Sequence, residues 1–317
     1  MPAPPLSPDK FLSCDWGTTN FRLTVVDAAT GDALLTHATD RGIRRTDQDF
    51  RESGAPDRFR FFANYLLARI AHLPEPYRAL PVVASGMASA NIGMLELPYA
   101  ALPLDATGGG LVTAVRTLAN AQEVLIVGGL RGPADVMRGE EVQALGLLPR
   151  MTDGPGTLIL PGTHSKHLMF TGSTIAGFTT YLTGELFALL SRESILAHSV
   201  VTGPLEGAAV DALCAGAAEG RAGRLTAALF SLRARDLLEG APHDAAYHYL
   251  SGLLIGDELR HLKPDARIYL AADEPVLTAY RLALEDFLDA GRLITFDGPS
   301  LRRALHFGQL TLLHRHA

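Results

Sequence analysis

The sequence predicts an α/β protein of two similar halves facing one another across a cleft. Two observations predict it. Apolar runs rich in β-branched residues alternate with stretches of helical periodicity, and a strand, Gly-Thr turn, strand arrangement occurs twice. The first copy runs from Phe11 to Asp27 around the turn Asp15-Trp-Gly-Thr-Thr-Asn20; the second runs from Gly156 to Thr171 around Pro161-Gly-Thr-His-Ser165. The polar, turn-rich stretch Pro149–Pro155 marks a boundary, giving an N-terminal domain over 1–150 and a C-terminal domain over 151–317. Clefts between two such domains are where ligands bind and where closure excludes water.

In the first half, Ala33–Thr39 reads as a third strand and Arg58–Leu73 as an amphipathic helix stopped before Pro74. Pro81–Gly86 reads as a buried strand ending in a glycine loop. Thr107–Ala121 reads as a glycine loop followed by a helix. Glu123–Gly129 is a further buried strand, with a loop and a helix continuing through Leu148. In the second half, Ile175–Leu182 is a third strand and 184–262 is mostly helical. Then come a strand (Ala266–Asp273), a helix (Val276–Ala290), a strand (Arg292–Asp297) and a final helix (Ser300–Leu313).

The first turn carries a carboxylate at the end of an apolar strand, then a glycine, two hydroxyls and an amide. Asp15 suits a hydrated divalent cation, bound through water. Gly17 lets the backbone approach a phosphate, while Thr18, Thr19 and Asn20 supply N–H, hydroxyl and amide donors. A plain hairpin would account for the Gly and the Asn, but gives no reason for the Asp with two Thr. Gly162, Thr163 and His164 form the matching second turn.

Composition narrows the remaining classes. With 317 residues, 47% of them hydrophobic and 20% charged, the chain reads as a folded globular protein with a sizeable core. A net charge of −6 gives no support for nucleic-acid or anionic-membrane partners. No apolar run is long enough to span a bilayer, and the Pro-rich stretch Met1–Lys10 lacks the apolar centre of a signal peptide, so cytoplasm is the expected location. Cys14 and Cys214 lie far apart in apolar settings and read as buried thiols. Of 28 basic residues only Lys10, Lys166 and Lys263 are lysines, which singles out Lys166 beside its Gly-Thr turn. His164 and His167, three apart on a hairpin, point to opposite faces and do not make a zinc pair.

The segments Asp15-Trp-Gly-Thr-Thr-Asn-Phe-Arg22, Ser85-Gly-Met-Ala-Ser-Ala-Asn91, Val136-Met-Arg-Gly-Glu-Glu-Val-Gln143, Leu160-Pro-Gly-Thr-His-Ser-Lys166, Leu182-Thr-Gly-Glu-Leu186 and Tyr249-Leu-Ser-Gly-Leu-Leu-Ile-Gly256 occur in that order. Together with the duplicated halves they resemble the sugar kinase/Hsp70/actin ATPase superfamily, and within it the 2-dehydro-3-deoxygalactonokinase family. The resemblance covers about residues 11–256 and implies two ribonuclease H-like, actin-like ATPase domains. It also implies transfer of the γ-phosphoryl of ATP, with Mg²⁺, to the 6-hydroxyl of 2-dehydro-3-deoxy-D-galactonate in galactonate breakdown. One departure stands out. The superfamily's Gly-rich adenosine loop is here Ala271-Ala-Asp-Glu-Pro275.

Phosphoryl transfer needs a metal carboxylate, phosphate donors and an acceptor-aligning base. Asp15 takes the first role; Gly17, Thr18, Thr19, Gly162, Thr163 and His164 take the second. Lys166 would neutralise developing charge, unless it is a strand residue pointing to solvent. Asp135 matches by resemblance the position of the base in related sugar kinases, although a helix N-cap would explain it equally; Glu140 and Glu185 are its rivals. Arg138 suits a substrate carboxylate bidentately. Asn20, Arg22, Ser85, Met87, Asn91, Glu140 and Glu185 complete the expected sugar-acid contacts, with ordinary loop chemistry as the plainer account of Ser85, Met87 and Asn91 and a helix N-terminus as that of Glu185. The rivals to this reading are a kinase of 2-dehydro-3-deoxygluconate, differing only at C4, and a non-catalytic sugar sensor of the same fold. Sensors of this type carry a basic helix-turn-helix in front, and fewer than a dozen residues precede the first strand. A homodimer is the default assembly.

Overall fold

The computed structural model describes residues 8–151 and 154–316. Most of the Pro-rich start (1–7), the middle of the expected boundary (152–153) and residue 317 lie outside the described residues. The chain divides into two units. One comprises Met1–Gly154, Thr171–Gly177 and Ser300–Ala317, the other Pro155–Phe170 and Phe178–Pro299.

In the first unit, β1 (Lys10–Trp16) and β2 (Phe21–Asp27) form the expected hairpin, in register from Lys10↔Asp27 to Trp16↔Phe21, and β3 (Ala33–Thr39) continues it antiparallel. Next come α1 (Ile43–Ser53) and α2 (Arg58–Ile70), whose cap Asp57 accepts from the Arg60 N–H at 3.0 Å. β4 (Val82–Gly86) lies parallel to β1. The short strands β5 (Ala100–Ala101) and β6 (Leu104–Asp105) precede β7 (Thr113–Thr117) and β8 (Glu123–Val127). β9 (Leu130–Arg131) and β10 (Val136–Met137) form a small hairpin ahead of α3 (Glu140–Leu147). The main sheet runs β3-β2-β1-β4-β8-β7. Trp16 anchors its core, edge-on to Phe21 at 5.0 Å and packed with Phe62 and Tyr65.

The second unit opens with β11 (Pro155–Leu160) and β12 (Ser165–Thr171). β13 (Thr174–Tyr181) follows, its first residues counted with the first unit, where Thr174 and Ile175 pair antiparallel with β6. Four helices follow: α4 (Thr183–Glu193), α5 (Ala208–Arg221), α6 (Leu225–Glu239) and α7 (His243–Leu259). β14 (Ile268–Ala271), α8 (Val276–Glu285), β15 (Leu293–Phe296) and α9 (Gly298–His314) complete the chain. The strand order β13-β12-β11-β14-β15 repeats β3-β2-β1-β4-β8 strand for strand, and β11–β14 and β14–β15 are parallel just as β1–β4 and β4–β8 are. The duplication legible in the two turns therefore extends through both sheets.

Three features differ from the sequence expectation. The helix expected within 107–121 is instead the edge strand β7, antiparallel to β8 from Thr113↔Val127 to Thr117↔Glu123. Its Thr-Ala-Val-Arg-Thr alternation suits a pleated edge better than a helix face. α1 is a helix that the sequence does not announce, because its apolar signal is thin: only Ile43, Thr46 and Asp47 are buried. Finally, α9 from Ser300 onward packs with the first unit, although the division at 150 assigned it to the second half. Small residues permit that packing. A Cβ at Gly146 would overlap the Ala304 carbonyl, and one at Gly308 would overlap the Val142 carbonyl. Cys14 is fully buried and Cys214 half-buried, both free thiols. Among the described residues no helix is long and apolar enough to cross a membrane.

Candidate active site

In the first unit, the β1–β2 turn closes with the Gly17 N–H donating to the Asn20 carbonyl at 2.9 Å. The start of α1 braces it from behind. The N–H groups of Gly42, Ile43 and Arg44 donate to the carbonyls of Thr19, Gly17 and Thr18 at 2.9, 2.9 and 3.1 Å. Donors that a helix start leaves unsatisfied are thus absorbed by the turn. A trans peptide points its C=O and N–H in opposite directions, so the N–H groups of Thr18, Thr19 and Asn20 face away from α1. Thr19 and Asn20 are exposed, and Thr18 is half-buried. The turn therefore presents the donor side expected of a phosphate cradle.

Asp15 is the last residue but one of β1, beside its register partner Ser85 of β4, and pairs with the Arg22 Nη1 at 3.2 Å. Burial pushes its carboxyl above the ordinary range, against the pull of Arg22 and then His306, while Glu140 adds to the rise. Its neighbour Gly86 has φ +76°, and a Cβ there would stand 3.0 Å from the Trp16 carbonyl and 3.5 Å from Asp15 Oδ1. Only glycine combines that backbone with that approach. A cradle that a Cβ would fill, beside a carboxylate, fits a hydrated cation and a phosphate.

Ser85 is fully buried, and its hydroxyl accepts from the Gln309 Nε2 of α9 at 2.8 Å. Met87 is half-buried in the short 3-10 turn after β4, and Asn91 is exposed just beyond it. Arg138 is held from several sides: Nη1 donates to Ser89 Oγ at 2.6 Å, Nη2 to the Leu97 carbonyl at 3.0 Å, and the guanidinium lies 4.0 Å from the Tyr99 ring centre. The next residue, Gly139, would bring a Cβ within 3.4 Å of the Gly86 Cα, so the start of α3 abuts the end of β4. Glu140 is half-buried there. Glu141 is buried and turns back to accept from the Gly139 N–H at 2.8 Å; burial, then Glu140, raise its carboxyl to about 8. Asp135 is half-buried in the β9–β10 turn, where its Oδ1 accepts from the Val136 N–H at 2.7 Å. It does not cap α3, whose N-cap is Gly139.

In the second unit the Gly162–His164 turn is braced by α4. The Glu185 N–H donates to the Thr163 carbonyl at 3.0 Å, and His164 Nε2 meets Glu185 Oε2 at 2.5 Å, both side chains about half exposed. Lys166 is 3% exposed and donates from Nζ to the His164 carbonyl at 2.8 Å, which excludes the solvent-pointing alternative. His164 and His167 diverge as expected of a hairpin, the second turning inward to Glu258.

Sequence reasoning missed that interior. Buried Glu258 of α7 accepts from Ser165 Oγ at 2.7 Å, from Tyr280 Oη at 2.7 Å and from Thr183 Oγ1, and meets His167 Nε2 at 2.8 Å. Burial alone would raise this carboxyl; His167 and the hydroxyl donors hold it below its ordinary range. An acidic pair, Asp257-Glu258, at the end of the largely apolar stretch 250–259 was the available signal. Next to this cluster lies a cavity of about 510 Å³, bounded by Gly162, Thr163 and Gly184 at one end and by Phe187, Tyr247 and Val276 among its apolar walls. Pro275, from the segment standing where a Gly-rich loop was expected, also lines it. On the first unit, His306 and Gln309 of α9 were missed in the same way. His306 Nδ1 donates to the Gly31 carbonyl at 2.7 Å.

Comparison with known proteins places this architecture. A family model described as 2-keto-3-deoxy-galactonokinase matches residues 15–296. A relative from Rhizobium meliloti (strain 1021), named "Probable 2-dehydro-3-deoxygalactonokinase", is 32% identical over 87% of this chain and 89% of its own length. The 2-dehydro-3-deoxygalactonokinase of Escherichia coli (strain K12) is 29% identical over 80% of each chain. A crystal structure from Sinorhizobium meliloti, assigned to the same kinase, superposes with a TM-score of 0.75 and 29% identity over 94% of this chain and 95% of that one. The fold is that of the Sinorhizobium meliloti kinase structure, and the chain belongs to the 2-keto-3-deoxy-galactonokinase family of phosphotransferases.

Proposed function

We propose that the protein transfers the γ-phosphoryl of ATP to the 6-hydroxyl of 2-dehydro-3-deoxy-D-galactonate, yielding the 6-phosphate and ADP in galactonate breakdown. The observation that carries the nucleotide part is the second unit's cavity. It joins a Gly-Thr phosphate turn to apolar and aromatic walls, with about 510 Å³ available for a base and sugar. Membership of the kinase family supports the acceptor.

Each residue then has a task its surroundings suit. Asp15, at a strand end beside the Gly86 cradle, holds Mg²⁺ through water; the ion, when bound, neutralises charge on the phosphates. The outward N–H groups of Thr18 and Thr19 bind phosphate oxygens, as do Gly162, Thr163 and His164 in the second unit. Lys166 places a fixed charge directly behind that second turn. Arg138 uses two donors on Ser89 and Leu97, and its remaining N–H groups serve the sugar-acid carboxylate. Asp135 takes the acceptor proton. Asn20, Arg22, Ser85, Met87, Asn91, Glu140 and Glu185 complete the sugar-acid contacts, with Ser85 at the end of β4 held by the bond its hydroxyl accepts from Gln309. The reaction belongs to the cytoplasm.

ADP release from the purified protein with Mg-ATP and a panel of 2-keto-3-deoxy acids and hexoses tests the reading. Turnover is expected on the galacto acid and much less on its C4 epimer. No turnover on either 2-keto-3-deoxy acid would refute the assignment.

A further inference from the structure

Glu258 is 2% exposed, yet its carboxylate gathers four partners from three other elements. Ser165 and His167 come from β12, Thr183 from the start of α4, and Tyr280 from α8. Three of the four are joined to the cavity or its phosphate turn. Ser165 directly follows the Gly162–His164 turn. Thr183 precedes Gly184 and Glu185, which press on the Gly162 carbonyl and donate to the Thr163 carbonyl. Thr183 and Tyr280 themselves line the cavity.

A buried carboxylate with no partner would be very costly, and donors left without an acceptor would be too. The cluster is therefore stable only with β12, α4 and α8 all in place. Polar networks of this kind fix one arrangement of the elements they join. The apolar contacts around them would tolerate small slides that these bonds do not.

We propose that Glu258 is a positioning residue for the nucleotide. It touches no phosphate itself, but ties the phosphate turn and the α4 and α8 walls into the one spacing that binds a nucleoside diphosphate. The inference rests on the reading of the cavity as the nucleotide site, and not on the identity of the sugar acid.

The test is calorimetric titration of the intact protein with Mg-ADP, beside KM values for ATP and for the sugar acid. Glu258→Gln keeps the shape but turns one acceptor oxygen into a donor facing hydroxyl donors. Its Kd for Mg-ADP and KM for ATP should rise about tenfold or more, with the KM for the sugar acid within about twofold. Tyr280→Phe removes one donor and leaves the carboxylate its other three partners; a rise of about threefold is expected. A purely structural role would lower the melting temperature and leave the Kd per folded molecule unchanged, which overturns the proposal. If Glu258→Gln fails to fold, Tyr280→Phe decides alone: Mg-ADP binding within error of the unaltered protein overturns the proposal, and the threefold loss supports it. If the unaltered protein does not bind Mg-ADP, the nucleotide reading falls and the proposal with it. If it binds Mg-ADP but phosphorylates no 2-keto-3-deoxy acid, only the acceptor assignment falls.

Discussion

Gly184 stands directly against the carbonyl of Gly162, so close that a Cβ at 184 would overlap it. The start of α4 and the Gly162–His164 turn share a backbone-to-backbone seat that no other residue type fits. Gly184→Ala adds a methyl group that helix propensity alone would welcome. Here it must push the turn away from the helix. Mg-ADP affinity should fall at least about tenfold, a cost of roughly 1.4 kcal/mol, while circular dichroism stays unchanged. Unaltered affinity would show that the turn does not bind phosphate.

The pairing of Gln309 with Ser85 makes a second prediction. Both residues are fully buried, and the bond joins α9 to the strand beside Asp15. Gln309→Leu should destabilise the protein by about 1–3 kcal/mol in urea unfolding, because the Ser85 hydroxyl loses its buried donor. The kcat should fall as well, since Ser85 sits in register with Asp15.

Glu141 predicts a pH dependence. Its carboxyl is raised to about 8 in the folded protein, against an ordinary value of 4.5. Between those values the folded state holds a proton that the unfolded state has released, so stability falls as pH rises through this window and levels off above it. The loss is on the order of a few kcal/mol. Glu141→Gln keeps an acceptor for the Gly139 N–H and should flatten the dependence; chemical unfolding at pH 5, 6.5 and 8 is the measurement. A slope equal to that of the unaltered protein would assign it to other groups.

The base assignment is open to direct comparison. If Asp135 takes the acceptor proton, Asp135→Asn should lower kcat about 10²-fold or more with little change in either KM. Near-normal kcat in that variant, with a large loss in Glu140→Gln, would transfer the role to the start of α3.

Asp15→Asn should remove most activity and shift the Mg²⁺ requirement to higher concentration, because a neutral amide holds a hydrated cation poorly. Titrating activity against free Mg²⁺ separates this from a folding defect, which would lower the plateau without moving the midpoint.

Local structure is legible where its signals stand together in the sequence. The turn at 15–20 declares itself because an Asp, a Gly and two Thr stand together, and its counterpart at 162–164 by a Gly-Thr pair between two apolar strands. Buried parallel strands such as Val82–Gly86 and Glu123–Val127 announce themselves by unbroken apolar runs. The edge strand β7 carries little apolar signal, and α1 lacks a start signal because the turn, rather than a side-chain cap, satisfies its first N–H groups. Glu258 was illegible for a different reason. Its partners lie 22 to 93 residues away in sequence, and only folding brings them to one point. The Asp135 position, expected just before a helix, lies in a β-turn because a short hairpin intervenes that two-residue strands cannot signal.

The return of α9 to the first unit also governs the order of events in synthesis. Gly31 and Ser85 wait for partners 275 and 224 residues further along the chain. A ribosome therefore releases the entire second unit before the first can complete the polar seat beside Asp15. Loop closure over such spans is slow compared with local helix formation. Until residues 300 onward have left the ribosome, the first unit stands without α9 and without these two bonds.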